Sequence, residues 1–275
     1  MTHHWPLGTI IGMDALEEGI AFCQSAGLDT LQLRLGDAAA RTKEEILALR
    51  APLKAFPAAT AAAGWPGPVL WDFKNGPRTL GIGPKETREA RMHSLMVGAQ
   101  WTAELEIPLM QTHLGFVPED PSCEEYAEHV QCLRALGRRC GELGIVFCLE
   151  TGQETPITLR RLIEDAGEEA VGVNLDPANL LMYGKANPLD AVDLLGAHIK
   201  SMHLKDGCYP GADSYQLGPE TPIGAGLVDF PGIFRKLRAL GFEGPLIIER
   251  EIPMPDQRAD ILASIPLIRG WVSQA

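Results

Sequence analysis

The sequence has no excess of positive charge. Its 275 residues include 24 lysines and arginines against 36 aspartates and glutamates, which gives a formal net charge of −12. Because an acidic surface repels phosphate backbones, we expect no nucleic acid partner. A bound metal could still attract an anionic or hydroxylated ligand locally in spite of that field.

Long apolar runs and N-terminal targeting features are also missing. No stretch of about 18 apolar residues occurs, and no basic segment followed by an apolar one opens the chain. We therefore expect a soluble, cytoplasmic protein with no membrane partner. The six cysteines form no CxxC pair and several stand in apolar or helical runs, so we expect reduced, packed thiols.

Short apolar runs alternate with longer amphipathic ones, and no internal repeat interrupts the alternation. Nearly continuous apolar runs are typical of buried parallel strands. We predict strands over 9–13, 30–35, 58–64, 107–113, 145–150, 171–176, 199–205 and 246–250. We predict helices over 14–26, 42–54, 84–104, 122–143, 155–166, 188–197, 230–240 and 257–272.

Eight such pairs match an α/β fold, a single (β/α)8 TIM barrel forming one domain over residues 1–275. An open doubly wound sheet is the alternative, but it normally carries a Gly-rich turn after its first strand, and none occurs here. Two long segments, 64–83 and 206–229, follow strands and would lie on the face where barrel enzymes place their active sites.

Polar side chains close, or nearly close, the last four predicted strands. Each follows strongly apolar residues, so each would be poorly solvated and would need a partner or a metal. Three oxygens and one imidazole nitrogen favour Mn, Mg or Co, with Zn as an alternative. Singly, these residues also fit a helix cap, a core histidine or a salt bridge; together they favour a divalent-metal site. They are Glu150, Asp176, His203 and Glu249.

Three further residues are candidates for substrate binding. His113 ends the fourth predicted strand, beside the metal-bearing strands, with a structural histidine as the alternative. Lys205 lies two residues after His203 on the same face of a strand, with a salt bridge to a neighbouring aspartate as the alternative. Trp65 stands in a Gly/Pro-rich loop, where its ring could stack on a sugar or could merely anchor the loop.

Several motifs, taken in order, resemble the sugar phosphate isomerase/epimerase family of xylose-isomerase-like TIM barrels. The resemblance covers nearly the whole chain and is clearest over 107–258. In this order the motifs are specific for the superfamily but not for a substrate. They are Thr112-His113-Leu114-Gly115, Glu150-Thr151-Gly152-Gln153-Glu154-Thr155, Val173-Asn174-Leu175-Asp176-Pro177, His203-Leu204-Lys205-Asp206, Gly224-Ala225-Gly226 and Ile248-Glu249-Arg250-Glu251.

The resemblance implies a metal-dependent enzyme acting on a small sugar or keto-sugar. It implies that Glu150, Asp176, His203 and Glu249 hold the metal. It also implies that Glu150 and Glu249 are catalytic and move protons through an enediolate intermediate, as an isomerase or epimerase does. The nuclease branch of the superfamily is disfavoured because it needs more histidines at the strand ends. Homo-oligomerisation stays open.

Two departures from the ketose 3-epimerase pattern put simple ketose epimerisation in doubt. Asn179 stands where those enzymes carry histidine, and Tyr209 where they carry arginine. Asn179 can still hydrogen-bond a substrate hydroxyl, but it cannot shuttle a proton. A lyase or dehydratase acting on a 3-keto-sugar, keto-glycoside or keto-inositol is therefore a close alternative. A non-catalytic sugar-binding or partner-subunit barrel is an alternative from another class. Without a Gly-rich phosphate loop, a free sugar is favoured.

Overall fold

The computed structural model describes residues 4–212 and 215–275. Eight parallel strands close into a barrel, so the prediction of a (β/α)8 TIM barrel is confirmed. The barrel strands are β1 (Leu7–Gly12), β2 (Thr30–Asp37), β3 (Ala58–Gly64), β4 (Leu109–Thr112), β5 (Val146–Glu150), β6 (Val171–Leu175), β7 (Ile199–Leu204) and β10 (Leu246–Ile248). A two-stranded antiparallel hairpin, β8 (Asp206–Gly207) and β9 (Glu220–Thr221), lies outside it.

Helices surround the barrel because each amphipathic segment returns the chain from one strand to the next. None of the helices in the described part of the chain is long and apolar enough to cross a membrane. The helices are α1 (Leu16–Ser25), α2 (Lys43–Ala48), α3 (Arg50–Ala55), α4 (Gly76–Thr79), α5 (Lys85–Glu104), α6 (Glu124–Glu142), α7 (Pro156–Ala166), α8 (Pro177–Met182), α9 (Pro188–Leu195), α10 (Phe230–Ala239) and α11 (Asp256–Gln274).

Three local features differ from the sequence prediction. The helix expected over 42–54 is broken into α2 and α3 at Leu49. The segment 64–83 contains the one-turn helix α4, and the segment 206–229 contains the β8–β9 hairpin. Residues 213 and 214 of that segment lie outside the described residues. These elements are too short to produce a recognisable hydrophobic period.

Parallel pairing brings the carboxyl ends of all eight strands to one face. The register pairs Glu150 with Asn174 across β5 and β6, and Ile247 with His203 across β10 and β7. The chemistry-bearing strand ends are therefore neighbours in space, as the sequence prediction required.

The barrel interior contains a layer of polar side chains beneath this face. Thr60 donates to Gln32 Oε1 over 2.8 Å, and Ser201 donates to Asn174 Oδ1 over 2.8 Å. All four residues are at most 1% exposed. Barrel interiors are usually filled by branched apolar residues, so a polar layer points to a site directly above it.

Candidate metal centre and substrate cavity

The four predicted ligands converge at the carboxyl end of the barrel. One donor atom from each of Glu150, Asp176, His203 and Glu249 lies within 4.8 Å of the others. Glu150 is the last residue of β5, His203 lies inside β7, and the other two follow β6 and β10 directly. The cluster can therefore hold a metal ion, as the strand-end pattern predicted.

His203 stands at the centre of the cluster. Its Nδ1 lies 3.0 Å from Glu249 Oε2 and 3.3 Å from Glu150 Oε1, yet none of residues 4–212 and 215–275 gives it a partner with hydrogen-bond geometry. Its Nε2 lies 3.0 Å from Gln32 Oε1, which can only accept, and 2.9 Å from Gln111 Nε2. Gln32 Oε1 accepts a hydrogen bond when Nε2 carries a proton, and loss of the other ring proton would then make the Nδ1 lone pair available to a metal.

Asp176 uses its two carboxylate oxygens differently. Oδ1 accepts the backbone N–H of Asn179 over 2.8 Å and caps α8, so the helix-cap alternative is also realised. Oδ2 is buried and accepts no hydrogen bond within the described residues, and it lies 3.8 Å from His203 Nδ1. A buried oxygen and a buried nitrogen, both without partners and facing one point, fit a metal that would satisfy both.

A threonine holds two of the ligand-bearing strands together. Thr151 Oγ1 donates to the carbonyl of Asp176 over 2.8 Å and accepts the backbone N–H of the same residue over 2.8 Å. This pair of bonds fixes the end of β6 relative to Glu150, the residue before Thr151. Such supporting contacts keep ligands in place before an ion binds.

Each of the two outer carboxylates has its own cationic neighbour. His113 Nε2 lies 3.1 Å from Glu150 Oε1, and Lys205 Nζ lies 3.4 Å from Glu249 Oε2. Lys205, which is 3% exposed, also contacts the carboxylate of Glu251, so its partners are glutamates rather than a neighbouring aspartate. His113 and Lys205 are thus brought to the cluster, at opposite carboxylates.

The electrostatics of the cluster follow from burial and from these neighbours. Burial alone would raise the pKa of Glu249, but the charges of Lys205 and His203 outweigh it and lower that pKa to about 2. Burial raises the pKa of Asp176 to about 6 despite its histidine neighbour. Burial would lower the pKa of His203, but Glu150 and Glu249 raise it well above its usual range. The carboxylates thus attract a cation at the place where a metal would stand.

Asn179 is 6% exposed and donates from Nδ2 to Glu150 Oε1 over 3.3 Å. Gln111 donates to the other oxygen of the same carboxylate over 3.2 Å. Sequence reasoning missed Gln111 and Gln32. The available signal was a lone polar residue at an inward position of an otherwise apolar strand, as in Leu31-Gln32-Leu33.

A cavity of about 330 Å³ opens above the cluster and is lined by Glu150, His203, Glu249, Trp65 and Trp71. The Trp71 ring contacts His113 edge-on at 5.0 Å, although the sequence had favoured Trp65. Trp65 lies under the guanidinium of Arg91, with 5.6 Å between them. Both aromatic rings therefore border the space that a substrate would fill.

Arg91 ties the tryptophan-bearing segment 64–83 to the barrel. Its side chain is fully buried and donates to the carbonyls of Pro66, Gly81 and Pro68 at 3.3, 2.6 and 3.2 Å. The pKa of Arg91 is lowered by burial. Because a guanidinium cannot be deprotonated in practice, these carbonyls are what makes its burial tolerable.

The chain belongs to the xylose isomerase-like TIM barrel family, whose model matches residues 20–269, and this confirms the resemblance of the motifs. A solved xylose isomerase domain protein from Planctomyces limnophilus is 29% identical with a TM-score of 0.90, over 100% of this chain and 99% of that chain. The 3-keto-D-glucoside 4-epimerase of E. coli has the same fold, with a TM-score of 0.72 and 17% identity over 97% of this chain and 100% of that chain.

Curated relatives match a shorter stretch. The inosose dehydratase of Geobacillus thermodenitrificans is 28% identical over 166 residues, which cover 54% of this chain and 53% of the relative. The chain thus spans about half the length of the curated relatives it matches.

Proposed function

We propose that this protein is a divalent-metal-dependent isomerase or epimerase that transfers a proton beside the carbonyl of a sugar or keto-sugar. The observation that carries the proposal is the pair Glu150 and Glu249, which flank His203 and border the same cavity. Two carboxylates on different sides of one substrate can remove a proton on one side and return it on the other. Sugar-modifying enzymes among the relatives and structural neighbours support this reading.

One metal ion would be held by Glu150, Asp176, His203 and Glu249. The oxygen-rich donor set favours Mn, Mg or Co, with Zn as an alternative. When bound, such an ion acidifies the C–H beside a carbonyl by drawing electrons from the carbonyl oxygen.

The side chains around the cluster would have different roles in the proton transfer. Glu249 remains a carboxylate because the charges of Lys205 and His203 lower its pKa in spite of burial, and it would accept the proton of a C–H in the cavity. Glu150 is held deprotonated as well, because the charges of His113 and His203 lower its pKa in spite of burial. Asn179 orients the Glu150 carboxylate and has a donor available to a substrate hydroxyl.

Dehydration of a keto-sugar or keto-inositol is the second candidate function. Elimination needs an acid for the departing hydroxyl as well as a base for the C–H. His113 could supply that proton: burial opposes its charge, yet the neighbouring Glu150 carboxylate raises its pKa above the usual value. The inosose dehydratases among the relatives favour this candidate over the half of their length that matches. A non-catalytic sugar-binding barrel would not need all four metal-type side chains.

The test is solvent deuterium incorporation into a panel of ketoses and keto-inositols by protein loaded with Mn, Mg or Co. We expect exchange at the carbon beside the carbonyl, and Glu249→Gln should abolish it. Product analysis then separates an isomer from a dehydrated product. Exchange that continues undiminished in Glu249→Gln, or no exchange with any metal, refutes the proposal.

Glu251→Gln is a matched control for metal binding. Glu251 contacts the same lysine as Glu249, but it is not part of the four-residue cluster. It should retain metal binding in calorimetric titrations, whereas Glu249→Gln should weaken it. Equal losses in the two variants would mean that the lysine contact, rather than a ligand position, explains the effect.

A further inference from the structure

Arg34 is an inward-facing cation on β2, two residues closer to the barrel mouth than Gln32, which contacts the candidate metal cluster. In β2, Leu33 and Leu35 are fully buried against the helices, whereas Arg34 between them is exposed. Gln32, two residues earlier on the same face, reaches His203. At roughly 3.3 Å per residue, Arg34 therefore leaves the strand about 6.6 Å above the Gln32 level, toward the barrel mouth.

The guanidinium extends over the end of β1. Gly12 pairs with Arg34 in the β1–β2 register, and a Cβ built on Gly12 would stand 3.9 Å from Nη2 of Arg34. Arg34 borders the cavity above Glu150, His203 and Glu249. It also borders a second cavity of about 720 Å³ between β1 and the segment that follows β10. The guanidinium thus stands where these two spaces adjoin.

Arg34 differs from the other cations that border these cavities. Within residues 4–212 and 215–275 it makes no hydrogen bond or ion pair. A guanidinium offers five N–H donors, no acceptor and a permanent charge. The other two arginines that border the larger cavity are neutralised: Arg250 by Glu220 and Asp260, and Arg258 by Glu18.

The acidic side chains nearby are already engaged. Glu251 contacts Lys205, and Asp37 at the end of β2 accepts hydrogen bonds from Ser94 Oγ and the backbone N–H of Ala39. In a chain with 36 acidic residues, an inward arginine that pairs with none of the described ones is positioned for an oxyanion from outside the chain.

We propose that Arg34 binds the anionic group, a carboxylate or a phosphate, of a substrate whose carbonyl end reaches the metal cluster. This deepens the proposed function, on which it rests for placing the carbonyl end. The substrate class becomes a sugar acid or a sugar phosphate, in contrast to the uncharged sugar that the missing Gly-rich loop favoured. The rise of about 6.6 Å from the level of Gln32 to that of Arg34 is comparable with the length of a sugar chain.

The test compares the binding of three probes to the metal-loaded protein by calorimetry. D-gluconate carries a carboxylate, D-glucose 6-phosphate carries a phosphate, and D-glucose carries neither. We expect at least one anionic probe to bind about tenfold or more tightly than D-glucose, and Arg34→Gln to weaken that probe about 10- to 100-fold while D-glucose is unchanged. Which anionic probe loses affinity identifies a carboxylate or a phosphate as the group recognised.

Arg258→Gln is the matched control, since it removes a cation that borders the larger cavity but is already paired with Glu18. It should leave the preference for the anionic probe in place. Equal affinity of the wild-type protein for all three probes, no binding of either anionic probe, or an unchanged anion preference in Arg34→Gln overturns the proposal.

The two proposals fail in different measurements. If no proton exchange occurs but Arg34-dependent anion binding persists, the proposed function is wrong and the anion subsite stands. If exchange occurs on neutral ketoses and Arg34→Gln does not alter the binding of any anionic probe, the proposed function stands and this inference is wrong.

Discussion

Glu154 is a buried carboxyl group whose replacement should stabilise the protein at alkaline pH. It is 4% exposed and forms no ion pair among the described residues. Burial raises its pKa from an ordinary 4.5 to about 7, and the distant charges of His113 and Lys185 only partly offset this. Glu154→Gln keeps the size of the side chain and removes the ionisation, so it isolates the cost of the buried charge.

The sign and the size of the effect follow from proton linkage. The folded state binds the Glu154 proton more tightly than the unfolded state, so stability falls as pH rises from about 4.5 to about 7 and is then constant. The interval between those two values, at 1.36 kcal/mol per unit, gives a cost of about 3 kcal/mol above pH 7. Glu154→Gln should therefore gain about 3 kcal/mol over the wild type at pH 8.5 and less than about 1 kcal/mol at pH 5.

The measurement is urea unfolding at pH 5 and pH 8.5 with a metal chelator present, so that metal binding does not contribute. The control is Glu119→Gln, an exposed loop carboxylate, which should show the same small difference at both pH values. A stability gain of Glu154→Gln that does not grow between the two pH values would refute the reasoning.

Four further variants test the candidate site and the segment 64–83 beside it. Gln32→Leu removes the acceptor that contacts His203 and should lower metal affinity about 10- to 100-fold in calorimetric titrations. Asp176→Asn alters a candidate ligand and should lower metal affinity more than Gln32→Leu does. Metal binding by Asp176→Asn at wild-type affinity would contradict this. Thr60→Val, which removes only the donor to Gln32, should cost less than Gln32→Leu. Arg91→Met should lower the free energy of unfolding by about 2–4 kcal/mol and speed proteolysis within 64–83, and unchanged cleavage there would be evidence against the tethering role.

The fold was predictable because its strands are nearly continuous apolar runs. Strand β3 has the predicted bounds, Ala58–Gly64, and the helix predicted over 155–166 is observed as α7, Pro156–Ala166. Helix α8 was not predicted because six residues between Asp176 and the next loop show no period. The N-cap of α8 is Asp176, which the strand-end pattern predicted as a metal ligand, so the same residue fits both interpretations.

The convergence of the four candidate ligands was predictable for the same reason, since parallel strands must end at one face. The supporting contacts were not. Gln32 and His203 are 171 residues apart in the chain and meet across the barrel interior. No local pattern states which inward side chains share a layer, because that depends on the stagger of the closed sheet. Arg34 was overlooked for a related reason, since a lone arginine in a strand resembles any exposed cation.

The polar layer inside the barrel explains why the site can be rigid before any ligand arrives. Apolar side chains at Gln32 and Gln111 would pack the interior well and cost no buried polar groups. The amide of Gln32 instead lies against Nε2 of His203 and orients the ring, and the amide of Gln111 holds one oxygen of Glu150. Polar side chains therefore replace apolar packing in the barrel interior and orient two candidate metal ligands. This replacement is expected only where the ligands must keep their geometry without the ion.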